Sequence, residues 1–172
     1  MALGKEVREL LQQGREEALA ELAVANPRAL RPLVGRLWDP DGEIRQRAAR
    51  AIGQVAAAHP DRGTEVIRRL MWALNDESAT NGVYAIPALG EIGRRAPGLM
   101  THHVPALVSM ARDEGLRGEI LRALRAVARA APTLVAGELD RLATSVDDSQ
   151  SGELEALRRL VAAAGKGSID DT

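Results

Sequence analysis

The sequence predicts an all-α protein, an α-solenoid of about five tandem helix pairs with no β-sheet. Three observations predict it: apolar positions that recur at a fixed interval, helical periodicity on both sides of a turn within each interval, and a core composition poor in rings. Of the 172 residues 45% are hydrophobic but only 2% aromatic, and none is phenylalanine. Small and branched side chains must therefore fill the core, which suits closely packed helices better than a sandwich of sheets.

The interval can be counted. Adding 37 to Leu30, Leu33, Val34 and Leu37 lands on Ile67, Leu70, Met71 and Leu74, and adding 37 again lands on Val104, Leu107, Val108 and Ala111. A further 35 gives Leu139, Leu142, Ala143 and Val146, and Asp39, Asp76, Asp113 and Asp148 keep step behind them. A period in this range, built of helical units, marks a repeat array. Ala18-Leu19, Ala51-Ile52, Ala88-Leu89 and Ala123-Leu124 stand at one offset before Pro27, Pro60, Pro97 and Pro132, and Ala156-Leu157 stands likewise before Gly165. Five second helices are thus expected in register.

The units fall at about 1–26, 27–59, 60–96, 97–131 and 132–164, within one domain over 1–165, followed by a flexible tail over 166–172. In the first, helices over Gly4 to Gln13 and Arg15 to Asn26 break at Gly14. In the second, a helix from about Ala29 to Trp38 carries its apolar residues at i, i+3, i+4 and i+7. The turn Asp39-Pro40-Asp41-Gly42 follows, where Asp39 or Asp41 can cap the next helix, Glu43 to Ala58. His59-Pro60 stops that helix. The third unit pairs Val66–Leu74 with Val83–Arg95, and the fourth pairs Val104–Arg112 with Leu116–Ala131. The fifth pairs Leu134–Ser145 with Gly152–Ala164. A single pair is too small to bury its own apolar face, so neighbours must stack on it.

The paired helices, the Asp between them, and the apolar–Arg pairs Ile44-Arg45 and Leu116-Arg117 resemble HEAT repeats, in the short variety also seen in phycobilisome-lyase-type proteins. The resemblance implies a right-handed α-solenoid of HEAT-like pairs, with a structural ladder through Asp39, Arg45, Asp76, Asp113 and Arg117. The third unit departs from the pattern, because Asn81-Gly82 replace the apolar–Arg pair and interrupt the ladder. Its segment Asn75-Asp76-Glu77-Ser78, followed by Gly90-Glu91-Ile92-Gly93, is also similar to an uncharacterised prokaryotic subfamily of HEAT-repeat proteins. Those carry a Gly-Trp-Gly-type run where this chain has Gly82-Val83-Tyr84.

Function is expected to reside in binding. The candidate surface is a polar patch on the third unit, made of Trp72, Asn75, Asp76, Glu77, Ser78, Asn81, Tyr84 and Glu91, that takes a protein or peptide partner. Turn chemistry accounts for Asp76 and Ser78, but not for a polar Asn81 on the apolar stripe. Pro87, read as lying inside a helix, would cost about 3 kcal/mol and so mark a place where geometry matters. Trp38 is expected to cap the stripe beside Leu37. One alternative is a nucleic-acid-binding HEAT-like protein that uses Arg45, Arg47, Arg50, Arg117, Arg122, Arg125 and Arg129. A formal net charge of −1 and the shortage of stacking aromatics weigh against it. A second alternative is a lyase-type protein handling a chromophore or cofactor in a pocket near Glu91 and Tyr84.

No catalytic constellation emerges, and no enzyme activity, metal or cofactor is expected. Without cysteine there are no disulfides and no thiolate chemistry. His102 and His103 are adjacent and diverge on a helix, and His59 lies far along the chain. There is no basic-then-apolar leader and no apolar run that could span a bilayer, so a cytoplasmic chain without membrane contact is expected.

Overall fold

The computed structural model describes residues 2–75 and 79–166, and every regular element among them is helical. The α-helices are α1 (Leu3–Gln12), α2 (Glu16–Ala25), α3 (Leu30–Gly35), α4 (Gly42–Ala58), α5 (Pro60–Asn75), α6 (Ile86–Arg95), α7 (Val104–Met110), α8 (Glu114–Ala130), α9 (Thr133–Ala136), α10 (Leu139–Ala143) and α11 (Ser151–Lys166). Short 3₁₀ turns at Pro27–Ala29, Arg36–Trp38, Ala79–Ala85, Pro97–Met100 and Asp148–Gln150 join or prolong them. The tail past Lys166 lies outside the described residues.

Local chemistry sets the ends of these helices. Gly14 turns the chain from α1 into α2 at φ +68°, a conformation open to glycine at little cost. The Asp41 carboxylate accepts the Glu43 N–H at 2.8 Å and caps α4, and Asp113 accepts the Gly115 N–H at 2.8 Å and caps α8. Pro60 and Pro87 both fall in the first turn of a helix, where an N–H would have no helical acceptor. The reading of Pro87 as a mid-helix irregularity is therefore corrected. The residues before it form a 3₁₀ turn, and α6 starts at Ile86.

Packing follows the order of the second helices, with α2 against α4, α4 against α6, α6 against α8 and α8 against α11. Ile67, Leu70 and Leu107 are fully buried, as are Leu19, Ile52, Leu89 and Leu124, and no polar or charged side chain is buried among the described residues. Each such aliphatic side chain contributes about 1.5–3 kcal/mol by leaving water. The second helices approach very closely through glycine. A methyl group placed on Gly53 falls 2.9 Å from the Glu91 carbonyl oxygen, and one on Gly90 falls 3.1 Å from the Ala123 Cα. A methyl group on Gly93 would run into the Val127 side chain. Since Gly90 faces Ala123 and Gly93 faces Val127, α6 and α8 run parallel.

Arginines tie neighbouring elements together. Arg47 donates to the carbonyls of Leu11 (2.7 Å) and Gln12 (3.0 Å) at the end of α1. Arg62 donates to Ala23 (2.6 Å) and Val24 at the end of α2. Arg50 forms a two-pronged pair with Glu16, at 2.9 and 2.6 Å, which holds its guanidinium more firmly protonated than usual.

Candidate functional site

The 3₁₀ turn Ala79–Ala85 is the longest 3₁₀ stretch among the described residues. Gly82 sits against α5, where a methyl group would lie 3.3 Å from the Ala73 carbonyl oxygen, so the residue at the usual arginine position packs tightly on the helix before it. The Trp38 indole N–H donates to the Asn81 carbonyl at 2.9 Å and fixes the turn to the second unit. Trp38 itself is half-buried against the core, as expected for a cap on the stripe. Asn81 is exposed rather than part of the apolar stripe, which corrects the earlier expectation. Its contribution to the structure is its backbone carbonyl.

This turn presents Tyr84 to a groove of about 450 Å³ that crosses three successive second-helix positions. Gly42, Arg45 and Gln46 come from α4, Val83, Tyr84 and Pro87 from the turn and α6, and Glu119 and Arg122 from α8. The Arg45 guanidinium carbon lies 4.7 Å from the centre of the Tyr84 ring, a cation–π contact worth about 0.5–1 kcal/mol at a site of this exposure. The same guanidinium donates to the carbonyls of Asp39 (2.7 Å) and Pro40 (3.1 Å), so it is held rigidly. Arg122 is 66% exposed and pairs with Glu119 one turn earlier. The groove thus offers a fixed cation on an aromatic ring, a second, exposed cation paired with a carboxylate, and an amide.

The other residues expected in the patch do not converge there. Glu91 pairs with Arg94 at 2.8 Å and Arg95 at 3.6 Å on its own helix and does not line the groove. The Asn75 amide donates to the Met71 carbonyl at 2.9 Å. Trp72 projects from α5 into a separate depression beside Arg68 and Arg69. Asp76, Glu77 and Ser78 lie outside the described residues.

The ladder is also revised. Arg117 donates to the carbonyls of Ala111 (2.8 Å) and Arg112 (3.3 Å) and reaches the Asp147 carboxylate of the following unit at 3.1 Å. That is one rung. Arg45, by contrast, meets the Asp39 carbonyl and no carboxylate among the described residues. The Asp39 side chain pairs instead with Arg36 at 3.1 Å and accepts the Asp41 N–H at 3.1 Å. Burial alone would raise the Asp39 carboxyl, but the Asp41 N–H and the Arg36 guanidinium outweigh it and hold the group below its ordinary value. Asp147 is lowered chiefly by the Ser149 hydroxyl, with Arg117 assisting. Asp113 caps its own helix and makes no ion pair with a described residue.

Of the seven arginines a nucleic-acid surface would use, Arg45, Arg47, Arg50 and Arg117 are engaged as described, and Arg125 reaches Glu153 at 3.1 Å. They act as staples between elements. Among the described residues no three histidines or carboxylates gather where a metal ion could be held. His59 closes α4, while burial and then the charge of His102 lower the His103 pKa. Among the described residues no helix is long and apolar enough to cross a membrane.

Sequence reasoning missed the partners of Tyr84. Counted from the Ala–Leu pair of each second helix, Tyr84 occupies the position of Arg47 in α4 and Glu119 in α8. That register finds Glu119, which lines the groove, but not Arg45, which stands two residues before Arg47.

No family model matches the chain. A stretch of 82 residues is 33% identical to the uncharacterized phycocyanin operon protein Z of Pseudanabaena tenuis (strain PCC 7409), which covers 46% of this chain and 41% of that protein. The chain therefore matches less than half the length of this relative.

Proposed function

We propose that the chain is a non-catalytic protein-interaction module, a right-handed α-solenoid of five HEAT-like helix pairs that binds a partner protein or peptide in the groove around Tyr84. The observation that carries this reading is the groove itself, in which Tyr84 is clamped by Arg45 across two units and Gln46 and Arg122 flank it. A rigid aromatic beside arginines is the composition that anchors protein interfaces. The solenoid reading is supported by the order in which second helices pack and by the shared register of Ile44-Arg45 in α4 and Leu116-Arg117 in α8. The nucleic-acid reading is weaker, because most of its arginines already bind other parts of the chain.

The test is affinity purification from the native cell followed by mass spectrometry, comparing the wild type with a Tyr84→Ala/Arg122→Glu variant whose folding is checked by circular dichroism. Loss of a specific partner is expected. Retention of every partner by the folded variant refutes the location.

A second reading, chromophore or cofactor handling, draws on the name of the phycocyanin operon relative. The groove volume falls in the range of small-molecule sites, although Glu91 is not part of it. Titration with a free bilin tests this reading. An unchanged visible spectrum removes it.

A further inference from the structure

We infer that α5 carries a second docking surface, built on Trp72 with Arg68 and Arg69, and that its occupant is an acidic polypeptide segment. Trp72 is 72% exposed, the most exposed large apolar side chain among the described residues. The neighbouring Leu70, Met71 and Leu74 are buried, so the outward direction of the indole follows from the helical register of α5. Arg68 and Arg69 precede it by four and three residues and therefore share its face. Together the three line a shallow, mainly apolar depression that has no residue in common with the Tyr84 groove.

The charges state what fits. Arg69 pairs with Glu65 at 2.5 Å, while Arg68 makes no ion pair with any described residue. The cation–π contact found among the described residues belongs to Arg45 and Tyr84, and the Trp72 ring is 72% exposed. The surroundings are basic as well. Of the seven arginines on the first-helix segments 27–38, 60–75 and 97–112, Arg36, Arg62 and Arg69 are engaged by Asp39, the end of α2 and Glu65, while Arg28, Arg31, Arg68 and Arg112 make no ion pair with a described residue. A ring that takes an apolar side chain, beside a guanidinium that lacks a carboxylate, complements a segment alternating Glu or Asp with apolar residues. A lipid surface is disfavoured, because a single exposed apolar side chain gives α5 too little to insert. Single-stranded nucleic acid is disfavoured too, because successive bases need successive rings, and Glu65 would face the phosphates.

The experiment uses the full chain and a fluorescein-labelled random copolymer of glutamate and tyrosine, read by anisotropy at low salt. Binding is expected, with loss as salt screens the charges. Trp72→Ala weakens it about 30-fold and Arg68→Glu/Arg69→Glu at least about tenfold. The same changes are also read in the Tyr84→Ala/Arg122→Glu background, where the groove takes no part, which separates this site from the groove. Both sites of change are on the surface, and circular dichroism confirms that each variant folds. Absence of binding overturns the inference, as does binding that survives both the Trp72 and the arginine changes. Tighter binding to an oligo-dT strand, or to phosphatidylglycerol vesicles, overturns the choice of a polypeptide.

Discussion

The glycine contacts between second helices lead to a prediction in which two effects oppose each other at one atom. In an exposed helix, replacing Gly by Ala stabilises by about 1 kcal/mol, through propensity alone. At Gly53 the added methyl falls 2.9 Å from the Glu91 carbonyl oxygen and 3.0 Å from the carbonyl carbon. Both are backbone atoms of α6, so no side chain can rotate away and the helix itself must move. Overpacking of this kind costs about 1–3 kcal/mol. The net expectation for Gly53→Ala is a loss of about 1 kcal/mol, after the propensity gain is subtracted. For a chain of this length that lowers the thermal midpoint by about 2–4 °C. Gly118 in α8 supplies the control, since a methyl there meets nothing within 4 Å. Gly118→Ala should raise stability by about 0.4–1 kcal/mol. Urea and thermal denaturation followed by helical circular dichroism compare the two. If Gly53→Ala is as stabilising as Gly118→Ala, the close approach of α4 to α6 is wrong.

Two more predictions concern the groove and its support. Trp38→Phe keeps the ring but removes the donor to Asn81, which should cost about 1 kcal/mol and speed amide exchange in residues 79–85. Unchanged exchange there would show that the bond does not hold the turn. Asp39 has a lowered carboxyl pKa in the fold, so the unfolded chain takes up a proton first as the pH falls. Its stabilising contribution is complete above the unfolded value near 3.8 and is lost as the pH drops through the folded one. Urea midpoints should therefore fall less steeply with acid in Asp39→Asn than in the wild type, and parallel curves would refute the pairing with Arg36.

The helices were legible in the sequence where packing repeats. The Leu, Ile and Ala positions that define α4, α5 and α8 are the ones found buried, because helical periodicity and burial have the same cause. The first helices were less legible. The expected helix from Ala29 to Trp38 is two 3₁₀ turns around a short α3, and the one over Leu134–Ser145 is split into α9 and α10 near Gly137. Turn type depends on which carbonyl an N–H finally meets, and apolar spacing does not record that. At the site, Tyr84 was identified but its companions were not. Arg45 was expected to reach a carboxylate, yet it lies on a ring about forty residues later in the chain, and only tertiary packing brings the two together. Asn81 and Pro87 were read as anomalies because the turn in which both are ordinary was invisible from the sequence.

Arg47 and Arg62 have a consequence for the order in which the molecule can be completed. At the end of α1 the Gly14 N–H reaches the Leu11 carbonyl at 3.1 Å and Arg47 adds donors to Leu11 and Gln12, while at the end of α2 the Ala23 and Val24 carbonyls accept from Arg62. During synthesis the opening pair therefore waits for its closure until a stretch of chain more than twice its own length has emerged. An excised fragment ending before Arg47 would lack these side-chain donors, whereas one reaching past Arg62 carries its own stoppers.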